Sequence, residues 1–544
     1  MKHHSSILAC LSLLSVLSAL PLPALAATAP EKMTLLQKAT HLYNRLTYGP
    51  RPGDIEKLVK EGPTGLSKWI SKQLHPDSIA DPSLMEKLAL IQSPNMTVEQ
   101  LRANFQTPEQ LAMKKGIKKE DLVKNEELRK KMRAEIGEEH LPEQIVRDMT
   151  AQRLIRAVES RRQLQEVLVD FWLNHFNIDI TKGDERYLLP TFEREVIRKN
   201  IFGKFGDLLK ATAHSPAMLF YLDNQASQSP LDYSNPKKPP TPRKNQGLNE
   251  NYARELLELH SLGVDGGYTQ TDVTQLARIL TGWGIDDMQK NPVFKFHDRV
   301  HDRGEKTFLG QGFVAGHNQD EGERALDIII HHPATARFIS EKLARYFVSD
   351  HPPKSLVDRM SKKFKETDGD LRAVYSVMLN SPEFWAKPAY NAKVKKPIQF
   401  VVSSIRALGG ELDPKNQVPH YLAEMGEEPY KCPPPTGYKD QAEVWVNPGA
   451  LVSRLNFATR LALNRVDGVY IQLPRLDSVP DQSKKLLKLV SAKLIHENLS
   501  PGSEKVLFRE FENEHRVMAD GEVRPFSLSK ATALILGSPE FQRR

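Results

Sequence analysis

Cysteine is almost missing from this chain: among 544 residues only Cys10 and Cys432 carry a thiol. Cys10 lies in an N-terminal stretch that reads as a removable leader, which leaves one thiol, and one thiol closes no intramolecular disulfide. The fold must therefore rest on core packing. Cys432 stands beside three prolines in no recognisable nucleophile context. Established chemical motifs are missing as well. There is no GxSxG elbow, no P-loop and no dinucleotide fingerprint, and Gly304 and the Gly310–Gly312 pair lack the strand, Gly-rich turn and helix that phosphate binding needs. These absences argue against an α/β hydrolase, a kinase or a Rossmann oxidoreductase. A large charge excess is lacking too. The formal net charge is +8 with both signs interspersed, which describes a solvated surface and speaks against nucleic acid as a partner. A weak attraction to anionic envelope polymers or sulfated glycans stays open.

The first residues are positive at Lys2, apolar from Ile7 to Leu20, and end in the small-residue site Ala24-Leu25-Ala26. This predicts a signal peptide over 1–26 and a periplasmic or secreted protein. Serines interrupt the apolar run, and Pro21 and Pro23 follow it, so no transmembrane anchor is expected after cleavage.

The rest predicts a mainly α fold: a large, bundle-like body of many helices with a small β-hairpin insertion between about 290 and 313. Ile145, Met149, Leu154, Ile155, Val158, Val167, Leu168, Phe171 and Trp172 recur at helical spacing and suggest one long helix over 144–176. The Lys- and Glu-dense stretch from Thr97 to Glu143 reads as a surface helical excursion. Residues 225–248 are rich in Pro, Ser, Asn and Lys and form a loop or linker. They divide a helical region at 27–224 from another at 249–544, unless 35–543 is one continuous domain. Ser-Pro pairs at 215, 381 and 538 follow similar helices, each with serine placed as an N-cap and proline at the first helical position.

The stretch NENYARELLELHSLGVDGGYTQTDVTQLARILTGW, 249–283, carries the first candidate site. Glu255 and Glu258 stand three residues apart and project from neighbouring points of one helix. Carboxylates so placed push each other's pKa apart, as an acid/base pair requires. Asn249, Asn251 and Arg254 would then hold substrate. The bland alternative is an ion-pair network in which Arg254 and nearby bases neutralise the glutamates and order the helix. Gly263, Gly266 and Gly267 end that helix, and Thr271 or Asp272 is placed to cap the next.

Two further groups deserve the same weighing. His297, Asp298, His301 and His317 offer nitrogen and oxygen donors for a divalent metal, but their spacing falls in a loop or strand and fits a solvated turn as well. Trp172, Asn174 and His175 combine an apolar ring with polar groups that suit a sugar, while Trp172 at the end of an amphipathic helix is equally a core residue.

HLYNRLTYGPRPGD, WLNHFNI, NENYARELLELHSLGVDGGYTQTDV, LTGW, HDRGEKTFLG, HPATARFISEKLARYFV, SPEFW and the MGEEPY–PPPTGY–W loop together resemble bacterial domain-of-unknown-function family 1800 over roughly 35–543. The resemblance implies an exported, mostly helical protein, often encoded beside a second exported protein that is a candidate partner. It carries no catalytic residue with it. On the residues alone, the expected activity is acid/base hydrolysis of an envelope or environmental polymer such as a polysaccharide. The rivals are glycan or partner binding without turnover within an exported assembly and, below both, a metal-dependent hydrolase.

Overall fold

Helices dominate because the apolar residues recur every three to four positions while strand-like alternation is confined to short runs. The computed structural model describes residues 32–233, 239–243, 247–474, 483–513 and 527–544. Residues 1–26, expected to be a signal peptide and carrying Cys10, lie outside the described residues, as do 234–238 and 244–246 of the expected linker. Among the described residues no helix is long and apolar enough to cross a membrane.

Two helices form the centre. Gln163–His175 is buried without interruption from Glu166 to Leu173, and Pro397–Ala407 from Pro397 to Arg406. A helix buried on all sides has to be enclosed by others, which in the first of these also pair the charged residues Glu166 and Asp170. One contiguous core surrounds them, drawing on Ala39 near one end of the chain, Trp172 and Trp283 in the middle, and Phe541 near the other. It takes residues from both sides of the 225–248 segment.

The long helix expected over 144–176 is broken in two, as Glu143–Glu159 and Gln163–His175. Asp81 causes the break. Its Oδ2 accepts from Ser160 Oγ at 3.1 Å and from the Arg161 amide at 2.7 Å, while Ser160 Oγ accepts from the Arg162 amide. A remote carboxylate thus satisfies backbone donors that would otherwise continue the helix. The excursion after Thr97 consists of Val98–Asn104, Pro108–Lys114, Lys119–Lys124 and Glu126–Ile136, the last three closing on a small core of Ala112, Leu122 and Met132.

The β insertion is two antiparallel hairpins. Trp283–Asp286 pairs with Val293–Phe296 in the register Trp283 to Phe296, and Lys306–Phe308 pairs with Gln311–Phe313. Part of the linker is paired too, Leu231–Asp232 against Thr241–Pro242. The Ser-Pro turns differ among themselves. Ser381 Oγ caps the Phe384 amide and Ser538 Oγ the Phe541 amide, whereas the Ser215 side chain makes no cap bond.

Candidate functional site

The acidic stretch begins as the α-helix Glu250–Glu255 and widens into a π-helical turn over Leu256–Ser261. Such turns are rare and frequent at functional sites. Asn249 is spent on structure: its Oδ1 accepts from the Asn251 amide, and its Nδ2 donates to the carbonyls of Leu222 and Asp223 at 3.3 and 2.9 Å. Asn251 is exposed. The next helix, Gln270–Ile279, is capped by Thr269 in a box with Asp272, so the cap lies two residues before Thr271 and Asp272 is the reciprocal partner rather than the cap.

Arg254 turns away from the two glutamates. It meets Glu250 at 3.5 Å and donates to Gln270 Oε1 at 2.7 Å, and Gln270 in turn donates to Glu250. Glu255 and Glu258 are half-buried, and among the described residues neither makes a hydrogen bond or ion pair. Burial pushes the Glu255 carboxyl above the ordinary carboxylate range, the charge of Glu258 adds to the push, and Arg254 offsets part of it. Burial raises the half-buried Tyr268 hydroxyl above the ordinary tyrosine range, and the charges of Glu258 and Glu255 add to this while Arg254 opposes it. Nothing in its local sequence signals this, since the Gly266-Gly267 turn brings it back.

The Trp172 group sits elsewhere and is used inside the protein. The Trp172 ring is fully buried and its Nε1 donates to Tyr375 Oη at 2.8 Å, so no sugar can stack on it. His175 packs against Phe171, Trp172 and Phe176, and its Nε2 lies 3.1 Å from the His260 carbonyl. Burial holds both His175 and His260 below the usual histidine range, with Lys342 acting in the same direction. Asn174 grips the proline-rich loop: its Nδ2 donates to the Tyr438 carbonyl at 2.8 Å, and its Oδ1 accepts the Tyr438 amide at 2.7 Å. Asn177 donates to the carbonyls of Cys432 and Pro434. Gly437 is required there, with φ +69° and space for a Cβ only 2.3 Å from the Asn174 carbonyl oxygen.

The four metal candidates do not form a ligand set. Asp298 pairs with Arg303, and His317 Nδ1 lies 2.9 Å from Asp320. His301 is buried with Nδ1 2.8 Å from the Thr281 carbonyl, while His297 is half-buried against Gly284. Among the described residues no group of three or more His, Cys, Asp or Glu side chains is placed to hold an ion. What the segment builds is an ion-pair lattice: Asp302 takes Arg278 through both oxygens at 2.9 and 3.0 Å, and Lys306 reaches Glu321 at 2.7 Å.

A denser charged network lies at the centre of the molecule, where the apolar pattern conceals it. Asp170 receives Arg153, the Tyr346 hydroxyl at 3.2 Å and Lys396 at 3.4 Å. Lys396 also meets Glu427 at 3.3 Å, and Glu427 accepts the Ile398 amide at 2.8 Å. Lys396 and Arg153 hold Asp170 below the carboxylate range against the opposing effect of burial. Burial and Asp170 push Glu427 above that range. A cavity of about 30 Å³ adjoins them, bounded by Asn174, Asn177, Tyr430 and Tyr438, which is room for water and little more. The available signal was a charge amid apolar neighbours, Asp170 in VLVDFWL and Lys395-Lys396 ahead of PIQFVV.

The stretches that carry these features run the length of one family model, described as a protein of unknown function (DUF1800), which matches residues 41–543. The chain belongs to the DUF1800 family. No curated protein and no solved structure matches it. In this DUF1800 chain the WLNHFNI helix and the PPPTGY loop are two halves of one clamp, and the acidic stretch packs on the other side of the same helix through His260 and His175.

Proposed function

We propose that the Glu255–Glu258 surface hydrolyses a hydroxylated polymer of the cell envelope or surroundings, such as a polysaccharide, in a protein exported by its N-terminal leader. One observation carries the reading: Glu255 is a half-buried carboxyl, raised in pKa and unpaired, beside a second unpaired carboxylate. Asp170, Glu193 and Asp302 are by contrast committed to cations, and Glu185, another carboxyl without a partner among the described residues, is fully enclosed where no polymer reaches it. A carboxyl whose surroundings raise its proton affinity suits a general acid, and a second carboxylate beside it suits a base toward water or a stabiliser of positive charge. In this scheme Glu255 protonates the leaving oxygen and Glu258 faces the attacking side. Arg254, Asn251, Gln270 and Tyr268 supply polar groups for hydroxyls.

The test is a screen of envelope and environmental polymers with the mature protein, followed by Glu255→Gln. Loss of general acid catalysis costs roughly 10²–10⁴ in kcat. The expected result is that loss with polymer binding and melting temperature unchanged. Binding that survives Glu255→Gln, with no turnover of any polymer by the wild type, overturns hydrolysis and leaves the non-catalytic glycan- or partner-binding reading.

A further inference from the structure

Four lysines of the described structure are buried: Lys306, Lys393, Lys395 and Lys396. Three of them end on carboxylates, Lys306 on Glu321, Lys393 on Asp350, and Lys396 on Asp170 and Glu427. Lys395 does not. Among the described residues its Nζ makes no hydrogen bond and no ion pair, and it stands 3.9 Å from the centre of the Phe541 ring. The backbone forces this placement. The Lys395 amide donates to the Gln542 carbonyl at 2.9 Å, and its carbonyl accepts from Arg454 Nη2 at 2.9 Å, so the residue is pinned on both sides and its side chain points inward.

Lys395 lines a cavity of about 20 Å³, whose charged wall is completed by His496, Glu497, Glu540 and Arg543. That volume admits a molecule of a few atoms and excludes an organic aldehyde or a sugar. Glu540 Oε2 in the same wall is buried without a partner. Burial lowers the Lys395 pKa to about 7, and the charges of Arg544 and Arg454 act in the same direction. Free amine is therefore abundant near neutrality: relative to an exposed lysine at pH 7 the neutral fraction is roughly a thousandfold larger. An uncharged amine still donates an N–H to the Phe541 face. Arg454 and Arg544 each have an Nε–H with no acceptor.

We propose that Lys395 is a carbamylation site, its Nζ adding to carbon dioxide in this cavity. The nitrogen lone pair forms the N–C bond, one C=O pair moves onto oxygen, and an N–H proton is released to solvent. The balance is amine plus CO2 giving carbamate plus one proton, with no oxidant or reductant. The product is an anion in the field of Arg454 and Arg544, whose Nε–H groups lack acceptors among the described residues, and charge-assisted bonds to such donors are the strong kind. Carbamylation thereby places an anion in the field of Arg454 and Arg544, where residues 542–544 bond to the backbone of Lys393 and Lys395 ahead of the Pro397–Ala407 helix.

The full chain is incubated with ¹³C-labelled bicarbonate, the carbamate is trapped as its ethyl ester with triethyloxonium, and the digest is read by mass spectrometry. The peptide bearing Lys395 is expected to carry the label at least several-fold above the mean of the exposed lysines, and the label is expected to vanish in CO2-free buffer. Labelling of Lys395 at or below the exposed-lysine level overturns the proposal. A second readout avoids digestion: a ¹³C carbamate resonance in the wild type that is absent from folded Lys395→Arg supports it, and persistence of that resonance in Lys395→Arg overturns it.

Discussion

Replacing Lys396 with methionine removes the one ammonium shared by three carboxylates. Its Nζ lies 3.4 Å from Asp170, 3.3 Å from Glu427 and 3.8 Å from Asp440, with its side chain only 4% exposed. Methionine keeps most of the volume, so the effect is electrostatic rather than a cavity. Asp170 retains Arg153 and the Tyr346 hydroxyl, but Glu427 retains only the Ile398 amide. The stranded charge is therefore that of Glu427. Breaking a buried pair from one side costs about 3–5 kcal/mol, and the lower end applies here because Glu427 is already pushed toward its neutral form and escapes by taking a proton. Adding Glu427→Gln to Lys396→Met removes that charge and leaves the acceptor for Ile398. The double variant should recover about 1–3 kcal/mol relative to the sum of the singles. Guanidinium unfolding followed by circular dichroism measures both quantities, provided the slope with denaturant is unchanged. A loss below about 1 kcal/mol for Lys396→Met, or strict additivity in the cycle, would refute the claim that this ammonium holds the carboxylates together.

Asn174→Ala should cost about 1 kcal/mol, because it removes the acceptor of the part-buried Tyr438 amide, and hydrogen exchange at that amide should accelerate; unchanged protection would remove Asn174 from the clamp. His175 and His260 are neutral in the fold, the latter lowered to about 3, whereas an unfolded histidine protonates near 6.5. The unfolded state then binds more protons below 6.5, so stability present above that pH is lost as pH falls from about 6.5 toward 3. A His260→Gln variant that still folds should flatten this slope, and a melting temperature as pH-dependent as the wild type's would contradict it. Elemental analysis after exchange into chelator-free buffer should show no stoichiometric metal that depends on His297 and His301. One equivalent lost in His297→Ala/His301→Ala would contradict the separate surroundings seen for these side chains, His301 on the Thr281 carbonyl and His297 against Gly284.

Periodicity alone determined that this protein is mainly helical, because a 3.6-residue repeat of apolar side chains is a local property that any fold must bury. It also placed Glu255 and Glu258 on neighbouring points of one helical stretch and β structure near 290–313, but not the second hairpin or the first strand at Trp283–Asp286, which pairs with Val293–Phe296. Several things had no local signature. The break at Ser160 comes from Asp81, a carboxylate 79 residues away along the chain. The π-helical turn under Glu258 leaves the same apolar pattern as an α-helix. Trp172, Asn174 and His175 had the composition of a binding group, and only packing showed that the ring is enclosed and the amide holds Tyr438. The histidines of the insertion are close in sequence, yet their partners come from Thr281, Gly284 and Asp320, so proximity along the chain did not become convergence in space. Partner choice decided the chemistry at the acidic stretch too. The sequence offered Arg254 to Glu255, but Arg254 takes Glu250 and Gln270 instead and leaves Glu255 unpaired. Local sequence sets which groups a helix carries, whereas long-range packing sets which of them lose water and which find a counter-charge, and those two factors govern their proton affinity.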